Sequence, residues 1–279
     1  MRHLLWVVGC LLLVSWSARA RAADDAALEP LYARIERDVQ QGLPLRVRVY
    51  VALCDNASQG IVPVKNPAIC DGDVPEHNIY WGTRGGLWGF ARAAGFRMVE
   101  STRPESGPIA VRAFWRKRVR SIDVELEGVA YRGREIRAAM LDFVRAVHSD
   151  DATASPPHVV AYVGHNYFLD TSDVRDFREA AHGGGALAKG VVALSCLGHQ
   201  HIRPYITRDR AEILLLNTNL AYPGAWSLGG AIEALARHES GRGVRDAAAR
   251  AFALGMNKPS GTMRAAFAYG VDRPADSKR

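Results

Sequence analysis

Three short apolar runs constrain this chain more than any other feature. His158 to Gly164, Gly190 to Cys196 and Glu212 to Asn217 are near-continuous stretches of Val, Ile, Leu and Ala. Each is too short for a helix and lacks the polar alternation of a half-exposed strand. Runs of this kind mark strands buried on both faces, as in a parallel sheet covered by helices on either side. The segment between the first and second runs holds a helical stretch, Asp173 to His182, which is the crossover that two parallel strands need.

The rest of the chain fits the same class. Ala26 to Gln41 has apolar residues at helical spacing (Leu28, Leu31, Ile35, Val39) and stops at Gly42-Leu43-Pro44. Leu45 to Leu53 alternates through Val47, Val49 and Val51, so it reads as a strand. Gly86 to Ala94 is helical, Ile109 to Val119 and Ile122 to Tyr131 resemble a β-hairpin, and Arg134 to His148 is an amphipathic helix. Pro223 to Glu239 and Gly243 to Leu254 are two further helices, and the tail from residue 258 to 279 is expected to be loose. The fold class is α/β, a three-layer α/β/α sandwich with a mostly parallel central sheet, in one domain from residue 23 to 257.

The N-terminus adds an address. Met1-Arg2-His3, an apolar run from Leu4 to Trp16, and small residues around Ala20 and Ala22 make residues 1–22 a signal peptide, and the run is too short to span a bilayer. The expected location is the periplasm or the exterior, with no membrane association after cleavage. Cleavage removes Arg2, Arg19 and Arg21, so 36 basic residues become 33 against 29 acidic and the formal charge falls from +7 to +4. The densest basic stretch, Arg112 to Arg120, alternates charged and apolar residues, which suits an exposed strand. No stacking motif accompanies it, so nucleic acid is not an expected partner.

Three of four cysteines remain after cleavage. Cys54 and Cys70 flank a turn-rich segment, and a disulfide closing such a loop in an oxidising compartment contributes ~3 kcal/mol in the chain-entropy picture. Cys196 is left over. An odd cysteine in an exported protein is a reactive thiol, an intermolecular link, or a buried residue packing as a small hydrophobe.

In open α/β sheets, ligands bind beyond the carboxyl ends of the strands. The three buried runs end in His165-Asn166, Cys196 and Asn217-Thr218, and the first strand is followed by Asp55, Asn56 and Gln59. These six polar residues (Asp55, Asn56, Gln59, Asn166, Asn217 and Thr218) are the candidate substrate-binding set. If the first two runs are parallel neighbours, His165 and Cys196 emerge side by side, and a thiol beside an imidazole is what thiol catalysis requires.

A hydrophobic strand ending in His, followed by one ending in a small residue and Cys, resembles the caspase-like cysteine peptidases, over roughly residues 158 to 220. The resemblance implies a caspase-like sheet, a peptide or protein substrate, and no cofactor. It implies His165 as acid/base, Cys196 as nucleophile, and the backbone N–H after the histidine as part of an oxyanion hole. Two positions depart from the family pattern: Asn166 stands where Gly is usual, and Ser195 where Ala or Gly is usual. The blocks Cys54 to Pro63 and Asn78 to Gly82 are similar to segments of bacterial exported proteins, without an activity attached.

Two alternatives stay open on the sequence. One is a non-catalytic ligand-binding module on the same sheet, using Asp55, Asn56, Gln59 and Trp81. The other is a zinc site at Cys196, His199 and His201, with His165 nearby. The glycine-rich stretch Gly183 to Gly190 follows a helix and precedes a strand, the reverse of a phosphate loop, so it is a connector.

Overall fold

The computed structural model describes residues 26–61, 64–150, 156–183, 185–206, 211–220, 224–259 and 263–268. Residues 1–22, the expected signal peptide, lie outside them, as do residues 269–279. Helix α1 covers 26–40. It leads into β1 (Leu45–Ala52), α2 (Leu87–Ala93), β2 (Arg97–Thr102), β3 (Ile109–Val119), β4 (Ile122–Tyr131) and α3 (Ile136–His148). Then follow β5 (Val159–Val163), α4 (Arg175–Ala180), β6 (Lys189–Leu194), α5 (Gly198–His201), β7 (Ala211–Asn217), α6 (Trp226–Ala236), α7 (Gly241–Met256) and β8 (Phe267–Ala268).

The strands form one mixed sheet in the order β2-β3-β4-β1-β5-β6-β7-β8. The five inner strands β4, β1, β5, β6 and β7 are parallel, whereas β2, β3 and β8 pair antiparallel at the two edges. The pleat sorts side chains into two cores. Val47, Val49, Val51, Val159, Ala161, Val163, Val192 and Leu194 join one buried cluster, with Leu31 of α1, Leu87 of α2, Leu228 of α6 and Val244 of α7. The alternate residues Tyr50, Val160, Tyr162, Val191 and Ala193 join a second cluster with Met140 and Phe143 of α3 and Phe177 of α4. Both faces of β5, β6 and β7 are covered, which is why those segments carry apolar residues without alternation.

Three elements differ from the sequence reading. β2 is exposed at every residue and has no apolar period; it exists because it pairs with β3. Helix α5 is a single turn. The segment after Asn257, expected to be loose, returns to the sheet: β8 pairs with Leu216 and Asn217, and the Thr218 N–H donates to Ala266 O at 3.0 Å. Phe267 is buried there against Phe252, the rings edge-on at 5.8 Å. A two-residue strand leaves no periodicity to read, so only the tertiary contact identifies it.

Candidate functional site

The site is built at the carboxyl ends of β5 and β6. These strands are parallel neighbours with Val163 opposite Leu194. His165 and Cys196 each lie two residues further on, just past the ends of these adjacent strands. Between strand and histidine, Gly164 has φ +154°, and a Cβ there would stand 3.0 Å from Ala52 O and 3.1 Å from Tyr162 Oη. Glycine is therefore required for the chain to turn out of the sheet so close to its neighbour. The fully buried Tyr162 hydroxyl donates to His165 O at 2.7 Å, and burial pushes its pKa well above 10, keeping it a neutral donor.

His165 is itself buried, and its Nε2 lies 2.8 Å from Asp170 Oδ2. Asp170 ends a short 3₁₀ turn, Tyr167–Leu169, and the same oxygen accepts the Gly60 N–H at 3.2 Å. The turn is fixed at its start by Asn166, whose Oδ1 accepts the Phe168 N–H at 3.1 Å. Phe168 in turn stacks on Tyr205 at 4.4 Å and meets Phe177 edge-on at 4.9 Å. An imidazole held by a carboxylate on one nitrogen is fixed in orientation.

Asn166 also joins the two strand ends. It is fully buried, and its Nδ2 donates to the carbonyl of Cys196 at 2.6 Å. On the other flank of β6 the Ser195 N–H donates to Oδ1 of the buried Asn217 at 3.1 Å. Cys196 is half-buried and takes part in no disulfide. The next residue, Leu197, adopts φ 51°, a left-handed conformation that costs a non-glycine residue about 1–2 kcal/mol, and its N–H donates to Asn219 O at 3.1 Å. Strain of this kind clusters at functional sites.

The other sequence candidates hold the loops in place. Cys54 and Cys70 form a disulfide with a Cα–Cα distance of 4.6 Å. Asp55 accepts from the Ala57 N–H at 3.0 Å and the Ser58 hydroxyl at 2.6 Å. Asn56 bonds both backbone groups of Val64. Gln59 is buried and donates to Leu53 O at 2.7 Å and Gly133 O at 3.0 Å. Trp81, which the binding-module reading needs at a surface, is buried, its ring 5.9 Å from Trp115 and 6.1 Å from Trp88. Thr218 donates to Ala265 O at 2.6 Å and so serves the docking of β8. Of the six polar candidates, Asn166 and Asn217 bond directly to backbone groups of Cys196 and Ser195, Asp55, Asn56 and Gln59 fix loops, and Thr218 holds the β8 segment.

His199 and His201 both lie on α5, and His199 Nε2 is 3.1 Å from Arg203 Nη1. Among the described residues no group of three or more His, Cys, Asp or Glu converges as metal ligands. The sequence reading missed Asp170, which precedes Thr171 in an ordinary-looking turn, and Asn78. The latter is a fully buried amide bonded to both backbone groups of Cys54, to the Tyr80 N–H and to Asp71 O. The nearest signal for Asp170 was its spacing of five residues from His165. No protein-family model, no curated protein and no solved structure matches this chain.

Proposed function

We propose that the chain is an exported cysteine hydrolase, peptidase-like, on a three-layer caspase-like sheet, with Cys196 as nucleophile, His165 as acid/base and Asp170 orienting the imidazole. One observation carries the reading: parallel neighbours β5 and β6 deliver His165 and Cys196 two residues beyond their last paired residues, the histidine held by the Asp170 carboxylate and the Cys196 carbonyl bonded by Asn166. The Cys54–Cys70 disulfide supports an oxidising compartment, in keeping with the signal-like N-terminus.

In this mechanism His165 takes the thiol proton and the Cys196 sulfur adds to a peptide carbonyl carbon, giving an oxyanion held by nearby backbone N–H groups. Collapse breaks the C–N bond, and the proton on His165 passes to the departing amine. Water, deprotonated by His165, then cleaves the thioester, releasing the acid and restoring the thiol. Asp170 keeps one ring nitrogen occupied so that the other serves the sulfur.

Iodoacetamide labelling of the non-reduced protein between about pH 6 and 9, with mass mapping of each cysteine, tests the proposal. Rapid labelling of Cys196 is expected near neutrality, slowed at least about tenfold by His165→Ala and by a smaller factor in Asp170→Asn. A Cys196 that labels only after denaturation, or at the same rate in all three proteins, would refute the dyad and leave the thiol a packing residue.

A further inference from the structure

A cleft lies away from the cysteine edge, on the α3 face of the sheet. It is a cavity of about 320 Å³ between the latter half of α3 and strands β1, β3 and β4. Its polar lining includes Arg48, Tyr50, Arg112, Tyr131, Asp142 and Arg145, with Ile109 and Val129 in the apolar wall. The volume is at the lower end of small-molecule sites.

The charges around it do not cancel. Arg48 Nε and Arg112 Nε donate to the two oxygens of one carboxylate, Glu127, at 2.6 and 2.7 Å. Asp142 accepts the Tyr131 hydroxyl at 2.7 Å and Arg145 Nη1 at 3.3 Å. Three guanidiniums therefore share two carboxylates, leaving one positive charge. Arg48 is nearly enclosed, with its side chain 12% exposed, whereas Arg112 and Arg145 are 44% and 59% exposed and open to an incoming group. The carbonyl end of α3, which would repel an anion, is occupied: Lys189 Nζ donates to Ala146 O at 2.8 Å and also to Ser149 O. Burial and Asp142 raise the pKa of Tyr131, so its hydroxyl stays neutral.

We propose that this cleft binds a small organic monocarboxylate, the carboxylate facing Arg112 and Arg145 and the apolar part lying on Ile109 and Val129. A planar guanidinium fork suits a carboxylate. A single surplus charge suits a monoanion, since a second negative charge would face Glu127 and Asp142. The alternating basic strand from Arg112 onward thus has one member turned to a purpose the thiol site does not use.

Titration calorimetry of the purified protein at low salt, with benzoate as probe, tests this. Saturable one-to-one binding with a Kd of about 1 mM or tighter is expected, with benzamide at least about tenfold weaker. Arg112→Gln and Arg145→Gln should each weaken benzoate by about tenfold, while Arg116→Gln, on the same strand but paired with Glu125, should not. Using both variants guards against one misfolding, and each is checked by its unliganded melting curve. Equal affinity for benzoate and benzamide, insensitivity to both substitutions, tighter binding of inorganic phosphate than of benzoate, or no binding at all would overturn the proposal.

Discussion

At the scale of single residues, Asn78 shows how one side chain decides the shape of the irregular segment that follows β1. Its Oδ1 accepts the N–H groups of Cys54 and Tyr80 at 3.0 and 3.1 Å, and its Nδ2 donates to Cys54 O and Asp71 O at 2.8 and 3.0 Å. All four partners are backbone groups of a segment without regular structure, Asp71 O having a further partner in the Val74 N–H at 3.3 Å, and the amide is fully buried. Asn78→Ala removes them together, and each orphaned buried group costs about 1–3 kcal/mol, with sharing between neighbours reducing the total. The expected loss in urea unfolding is about 3 kcal/mol. Asn78→Asp should lose as much, because a carboxylate cannot donate to two carbonyls. A loss under about 1 kcal/mol for the alanine variant would mean that water or a shifted loop replaces the amide.

At the scale of elements, legibility followed burial and length. The inner strands β5, β6 and β7 were readable because burial on both faces demands unbroken apolar residues. The β3–β4 hairpin was readable because each strand runs ten residues or more. β2, α5 and β8 were not, since a fully exposed strand, a single turn and a two-residue strand carry no period. The thiol site divides in the same way. His165 and Cys196 stand out as polar residues ending apolar runs. Asp170 depends on a 3₁₀ turn that Asn166 caps and that Phe168, Phe177 and Tyr205 hold, none of which has a spacing rule. Asp55 and Asn56 lie at the right edge but make loop bonds, the ordinary work of Asx residues in turns, and Gln59 ties Leu53 O to Gly133 O. The docking of β8 gives this scale its prediction. Phe267 is 2% exposed, and Phe→Ala at buried positions costs about 3–5 kcal/mol, so Phe267→Ala should lower stability by about 3 kcal/mol. A tail that only brushed the sheet would lose less than about 0.5 kcal/mol, the range of surface substitutions.

At the scale of the whole molecule, the amino ends of the strands are closed by a buried charged knot that should set the acid limit of the fold. Arg34 of α1 donates to Pro156 O, Pro157 O and Ala188 O at 2.7–3.0 Å, tying the helix to the segments that enter β5 and β6. Arg46 of β1 donates to Asp38 at 2.7 Å, and its backbone N–H to His158 Nδ1 at 3.0 Å. His158 is completely buried, with Nε2 3.0 Å from Asp38 Oδ2. Burial, with the charges of Arg34 and Arg46, pushes its pKa down to about 3, against the attraction of Asp38. An accepting Nδ1 requires the neutral ring, so the hydrogen bond and the charge environment agree. In the unfolded chain the same imidazole titrates near 6.5. Between those values the unfolded state holds a proton that the folded state refuses. Stability is therefore full above about pH 6.5 and falls toward pH 3 by up to about 1.4 kcal/mol per unit from this ring alone. Asp73 and Asp150, whose pKa values are lowered from 3.8, act in the same direction, but only at more acid pH. Glu76, whose pKa is lowered from 4.5, adds to the slope below about pH 5, so the window from about pH 5 to 6.5 reads out the buried imidazole. His158→Asn keeps an acceptor for the Arg46 N–H and removes the titration, so urea unfolding free energies for this variant should be nearly flat across that window where the parent slopes. Parallel slopes in the two proteins would assign the acid sensitivity to other groups and show that the knot tolerates a charged ring.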